Sequence, residues 1–74
     1  MEKYRLRACR EERGYTQADI AKVLGITRSA YTHYESGRND IPLDSLIVLA
    51  DFYKCTTDEL LGSKHYYNVI RDAK

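Results

Sequence analysis

Arg28, Ser29, Thr32, His33 and Ser36 recur at spacings that bring them to one side of a helix. Their side chains are mostly short and rich in hydrogen-bonding groups, with one arginine near the helix start. Such a face suits the floor of a DNA major groove, where base edges present donors and acceptors. It also suits an ordinary solvated helix face, so the neighbouring residues have to decide. Gln17 stands first after a capping threonine, where a side-chain amide, the free amides of a first turn and the helix dipole all favour a phosphate. Arg38 and Asn39 follow the polar helix and are plausible phosphate contacts as well; Asp40 is not, unless it turns away to cap.

Catalytic chemistry finds little to work with. Glu11–Glu12 and Asp58–Glu59 are paired in sequence, but adjacent helix residues point to different sides. Asp58 and Glu59 are better explained as charges at a helix N-terminus. His33 and His65 have no cysteine or carboxylate arranged as in a nucleophilic site. Cys9 and Cys55 show no CxxC spacing and no nearby histidine, so no metal is expected; they read as small buried hydrophobes in a reducing compartment. No organic cofactor or small-molecule ligand is implied.

The polar face needs two helices to hold it. Thr16 is placed to cap the first, and Asp19 three residues on makes an aspartate-ended capping box. Tyr15 and Ile20 hold the positions of a hydrophobic staple. Gly25 ends this helix, because it enters left-handed backbone space without a Cβ penalty. The signature repeats at once, with Ile26 before the cap, Thr27 at it, Tyr31 to close the staple and Gly37 at the end. Two capped helices separated only by Gly25 to Thr27 must turn sharply, which is a helix-turn-helix. On the second helix Ala30, Tyr31 and Tyr34 share the side opposite the polar one and are its candidates for burial.

The stretch Leu6 to Gly62 resembles the Cro/C1-type helix-turn-helix domains of phage repressors and the XRE group of bacterial regulators. The resemblance rests on Thr16-Gln17, Ala21, Gly25, Tyr34-Glu35-Ser36-Gly37, Pro42 before a helix with Leu49-Ala50, and Asp58-Glu59-Leu60-Leu61-Gly62. It implies an all-α, five-helix, lambda-repressor-like DNA-binding domain over residues 1–62, with residues 63–74 as a short C-terminal extension. Its third helix would enter the major groove. Arg28, Ser29, Thr32 and His33 are then the base-reading candidates, and Gln17, Thr27, Ser36, Arg38 and Asn39 the phosphate-binding ones. Arg10 would lie on the inner face of the first helix, an odd place for an unpartnered charge. The resemblance implies a structural ion pair between Arg10 and Glu35. A protein-interaction or antitoxin-like module keeping the same fold is the rival reading, since fold alone does not settle function. A partner-binding third helix would expose aromatics or leucines, and this one does not.

The rest of the chain fits one small domain. It has 74 residues and a net charge of +1. Residues 1–40 carry eight Lys/Arg against six Asp/Glu, so a slight positive bias falls on the half with the motif. Each monomer should bind DNA with modest affinity. The longest apolar run, Leu46 to Ala50, is too short to cross a bilayer, and the charged N-terminus has no signal-peptide core. A cytoplasmic protein is expected.

Helix 1 is expected from about Lys3 to Arg13, with Leu6 and Cys9 as its core stripe. Helix 4 should begin at Pro42, run to about Tyr53, and bury Leu43, Leu46, Ile47, Leu49, Ala50 and Tyr53 on one side. Lys54 stands where the resemblance suggests glycine or asparagine, so it must go left-handed at about 1–2 kcal/mol. Cys55, Thr56, Glu59 and Leu60 make a third staple and box before a short helix 5. Val48 and Phe52 are left outside the core. Tyr66, Tyr67, Val69 and Ile70 also need a cover: the tail can fold back on its own domain near Val48 and Phe52, or Val48, Phe52, Tyr66, Tyr67 and Ile70 can form a homodimer interface, the arrangement favoured. A two-fold dimer on two half-sites of double-stranded DNA is the arrangement expected.

Overall fold

A computed structural model describes residues 4–62, which form five helices and no strand. These are α1 Leu6–Glu12, α2 Gln17–Leu24, α3 Arg28–Ser36, α4 Leu43–Tyr53 and α5 Thr57–Leu61. The expected extension, residues 63–74, lies outside the described residues, as do Tyr66, Tyr67, Val69 and Ile70.

Local chemistry sets most of the boundaries. At α2, Thr16 Oγ1 accepts from the Asp19 amide at 3.0 Å and the Asp19 carboxylate accepts from the Thr16 amide at 2.9 Å, closing the capping box. Thr27 caps α3 by accepting from Ala30 N–H at 3.1 Å. Thr56 caps α5 by accepting from Glu59 N–H at 3.1 Å, but no bond returns from the Glu59 carboxylate, so only half of that box forms. Gly25 ends α2 at φ 69°, and the turn is secured by Ile26 N–H donating to Ala21 O at 3.0 Å. Lys54 ends α4 in the left-handed region at φ 58°, and Cys55 N–H behind it donates to Ala50 O at 2.9 Å. Satisfying that carbonyl offsets part of the strain of a side chain at positive φ.

α1 starts at Leu6, later than the sequence suggests, and the two residues before it make tertiary bonds. Arg5 N–H donates to Leu60 O of α5 at 2.9 Å, and Tyr4 Oη donates to Asp40 at 2.8 Å. Pro42 is the cap of α4 and not its first residue, with extended backbone at ψ 150°.

Every helix contributes one fully buried large side chain: Leu6, Ile20, Tyr31, Leu49 and Leu60. Full burial of each is worth about 1.5–3 kcal/mol before the entropy of ordering it. α2 packs on α3 and α4, and α1 on α3 and α5, while α4 and α5 pack together. Arg13 fastens α1 to the end of α4. Its Nε donates to Tyr53 O at 3.3 Å and its guanidinium lies 4.9 Å from the centre of the Tyr53 ring. Cys9 is buried, Cys55 is half-buried and both are free thiols; burial pushes each thiol pKa up, which keeps the reactive thiolate scarce.

Two expected core residues of α4 are not in the core. Leu43 is 69% exposed and Ile47 is 53% exposed. The buried stripe is Leu46, Leu49, Ala50 and Tyr53, one i, i+3, i+4, i+7 row. Leu43 and Ile47 lie one row outward and stay open to solvent. Val48 and Phe52 are exposed on the far side of the same outer face. Tyr15, expected to staple onto Ile20, stands with its ring centre 5.2 Å from that of Phe52 and 6.3 Å from that of Tyr53.

Candidate nucleic-acid interface

α3 is amphipathic, and its inner arc decides what the outer arc can do. Tyr31 and Glu35 are buried, while Ala30 and Tyr34 are half-buried. Arg28, Ser29 and Ser36 are exposed, and Thr32 and His33 are half-exposed beside them. Arg28, Ser29, Thr32, His33 and Gln17 line one shallow groove, so α2 and α3 present a joint surface. A second groove runs from Arg28 and Gln17 past Thr16 and Ala18 to Arg10, Glu11 and Tyr15.

The surface is anchored to a buried ion pair. Arg10 Nε donates to Glu35 Oε2 at 2.6 Å, and a terminal nitrogen of Arg10 donates to Glu35 Oε1 at 3.2 Å. The other terminal nitrogen donates to Tyr15 O at 2.7 Å, fixing the residue just before the α2 cap. Burial works to raise the Glu35 pKa, but hydrogen bonds from Arg10 and Gln17 outweigh it and hold the carboxyl below its usual range. Arg10 is held above its usual value by the same carboxylate. The Tyr31 hydroxyl is buried close by without a well-formed hydrogen bond, and its pKa is pushed up first by burial and then by Glu35.

Gln17 links this pair to the polar face. Its amide nitrogen donates to Glu35 Oε1 at 3.0 Å, and its amide oxygen accepts from Thr32 Oγ1 at 3.0 Å. The orientation follows from the chemistry, since a flipped amide would set a carbonyl against a carboxylate. Thr32 has a single proton and shares it between Gln17 and Arg28 O at 2.9 Å. The Gln17 side chain is therefore bound inward to the α1–α3 pair, with one amide hydrogen left for an outside acceptor. No pattern in the sequence signalled this link, because its partners are 15 and 18 residues away.

The remaining candidates divide in two. Thr27 spends an oxygen lone pair on its cap and keeps its proton. Ser36 donates to His33 O at 3.2 Å and accepts from Arg38 N–H at 3.4 Å, so its hydroxyl is used within the α3 terminus. Arg38 and Asn39 have exposed side chains, and Asn39 N–H donates to His33 O at 3.1 Å, which folds the loop against the end of α3. At the other edge, the capping box occupies the Asp19 amide and leaves the Gln17 and Ala18 amides at the positive end of α2. Asp19 is held below the usual carboxyl range by its hydrogen bonds to Thr16, so it stays charged there.

Among the described residues, no cluster of His, Cys, Asp or Glu could hold a metal ion, and no helix is long and apolar enough to cross a membrane. A helix-turn-helix family model matches residues 6–60. A SPbeta prophage-derived uncharacterized HTH-type transcriptional regulator of Bacillus subtilis, YonR, is 41% identical over 61 residues, covering 82% of this chain and 56% of the relative. The HTH-type regulator AnsR of the same organism is 41% identical over 58 residues, covering 78% of this chain and 50% of the relative. ImmR, another HTH-type regulator from that organism, is 38% identical over 58 residues, covering 78% and 46%. The chain thus spans about half the length of these relatives.

Proposed function

The chain belongs to the Cro/C1-type helix-turn-helix family of DNA-binding transcriptional regulators, and from that membership we propose that it is a cytoplasmic repressor reading a short operator in double-stranded DNA. The supporting observation is the division of α3, with Tyr31 and Glu35 buried and Arg28, Ser29, Thr32 and His33 left on an open polar groove. In this reading those four side chains meet base edges, with Arg28 suited to a guanine. Gln17, Thr27, Ser36, Arg38 and Asn39 meet phosphates and fix the register. For Ser36 the contact would come through its remaining lone pair or by exchange of its bond to His33 O. Repression needs nothing beyond occupancy of an operator, which a domain with one reading face can supply.

The operator complex is read as a homodimer. One reading helix reaches only a few base pairs, and a two-fold pair about 34–36 Å apart doubles them. The outer face of α4 offers the second copy Leu43, Ile47, Val48 and Phe52 on either side of Asp44 and Asp51, with residues 63–74 as a further candidate. That face also favours the alternative of a protein-interaction module, and the two roles use different sides of the domain.

Selection of bound duplexes from a random pool tests the DNA reading. A recurrent short site, with the preference relaxed at one position by Arg28→Ala, is the expected result. A pool that stays random, or an Arg28→Ala variant with unchanged preference and affinity, refutes it.

A further inference from the structure

Asp40 is an acidic residue in a place that should disfavour it. It follows Arg38 and Asn39, and two residues of chain cannot carry it more than about 8 Å from Arg38 at the backbone. The loop is folded onto the reading helix through Asn39 N–H and His33 O at 3.1 Å. A carboxylate loose in this loop would face the same phosphates that Arg38 and Asn39 are suited to meet.

The structure gives that carboxylate a holder. Tyr4 Oη donates to Asp40 Oδ1 at 2.8 Å across 36 residues of sequence. Tyr4 is itself anchored, half-buried against the core cluster. The next residue, Arg5, is bound through its amide to Leu60 O at 2.9 Å, and its side chain lies against Gly62. The segment before α1 is thus strapped to α5, and Asp40 is tied to that strap.

We propose that Tyr4 is a positioning residue for DNA binding: its hydroxyl ties the Asp40 carboxylate to the α1–α5 side of the domain and so leaves the Arg38–Asn39 loop open to phosphate. The inference rests on the DNA reading above. It concerns a sequence-independent contribution, since phosphate contacts carry no base information.

The test is a cycle of Tyr4→Phe, Asp40→Asn and the double variant in the full chain. Binding is measured by fluorescence anisotropy on the selected duplex and an unrelated one over a range of salt. Tyr4→Phe keeps the ring and removes the hydroxyl. Asp40→Asn keeps an acceptor for Tyr4 and removes the charge. Tyr4→Phe should weaken binding about threefold to tenfold at low salt, by the same factor on both duplexes, with the loss shrinking as salt rises. Asp40→Asn should bind at least as tightly as the unmodified chain, and the double variant should match Asp40→Asn. A Tyr4→Phe variant that binds like the unmodified chain overturns the inference and leaves the DNA reading standing. A loss that persists undiminished in the Asp40→Asn background also overturns it, because it would arise from destabilisation and not from the charge. An unmodified chain that binds neither duplex removes the DNA reading and this inference together.

Discussion

Replacing Arg10 by methionine removes a charge from the centre of the domain and keeps most of the apolar stem. Glu35 is only 3% exposed, so its carboxylate would be left in the interior with Gln17 as its one geometrically well-formed donor. Removing one partner of such a pair costs about 3–5 kcal/mol. An independent bound agrees. A stranded carboxylate can escape by taking a proton, and doing so at pH 7 from a reference pKa of about 4.3 costs about 3.7 kcal/mol. Loss of the Arg10 bond to Tyr15 O adds about 1 kcal/mol. A chain of 74 residues has roughly 4–11 kcal/mol of stability in all, so the variant should be close to unfolding. In urea, with a slope near about 1 kcal/mol/M, the midpoint should fall by about 3 M. The pH dependence should also reverse. In the unmodified chain Glu35 titrates below its unfolded value, so its stabilisation is present above about pH 4.3 and is lost as pH falls through the folded pKa. In Arg10→Met the folded pKa should rise above the unfolded one, so that contribution is largest in acid and is lost as pH rises. The gap between the two chains should therefore narrow as pH falls toward about 4 and close only below it, as Glu35 of the unmodified chain takes up its proton. Arg10→Met combined with Glu35→Leu should recover part of the loss, because no charge is left stranded. An Arg10→Met midpoint within about 0.5 M of the unmodified chain at neutral pH would refute the reasoning, as would a double variant as unstable as the two single losses added together.

Lys54→Gly should raise stability by about 1 kcal/mol in the same urea assay, because Lys54 sits at φ 58° with an exposed side chain. Arg28→Ala should cost about 1–3 kcal/mol of affinity for the selected site and little on unrelated DNA, measured by competition binding. Ile47→Glu and Val48→Glu, both at exposed positions of α4, should shift the chain from dimer to monomer in sedimentation. A dimer that survives both would move the interface off α4, and a monomeric unmodified chain at micromolar concentration would remove it.

From the residues alone, the legible features are those whose partners lie within about five residues; the Arg10–Glu35 pair, 25 residues apart, is expected only through the family resemblance. The left-handed Lys54 is likewise expected from the family resemblance, whereas the caps at Thr16, Thr27 and Thr56 and the turn at Gly25 follow from hydrogen bonds that each short segment makes with itself. The two faces of α3 follow in the same way from helical periodicity. Three-dimensional packing decided the rest. Periodicity says that α4 has an apolar side, but the packing of the whole core chooses the row that is covered, burying Leu46, Leu49, Ala50 and Tyr53 and leaving Leu43 and Ile47 outside. Gln17 is a first-turn glutamine by sequence; only the approach of α2 to α3 sets its amide between Glu35 and Thr32. The Tyr4–Asp40 bond joins residues that nothing in their own neighbourhoods connects. Local hydrogen bonds and periodicity are properties of a segment, whereas the partner of a buried or bridging side chain is set by which segments the whole core brings within about 3 Å of each other.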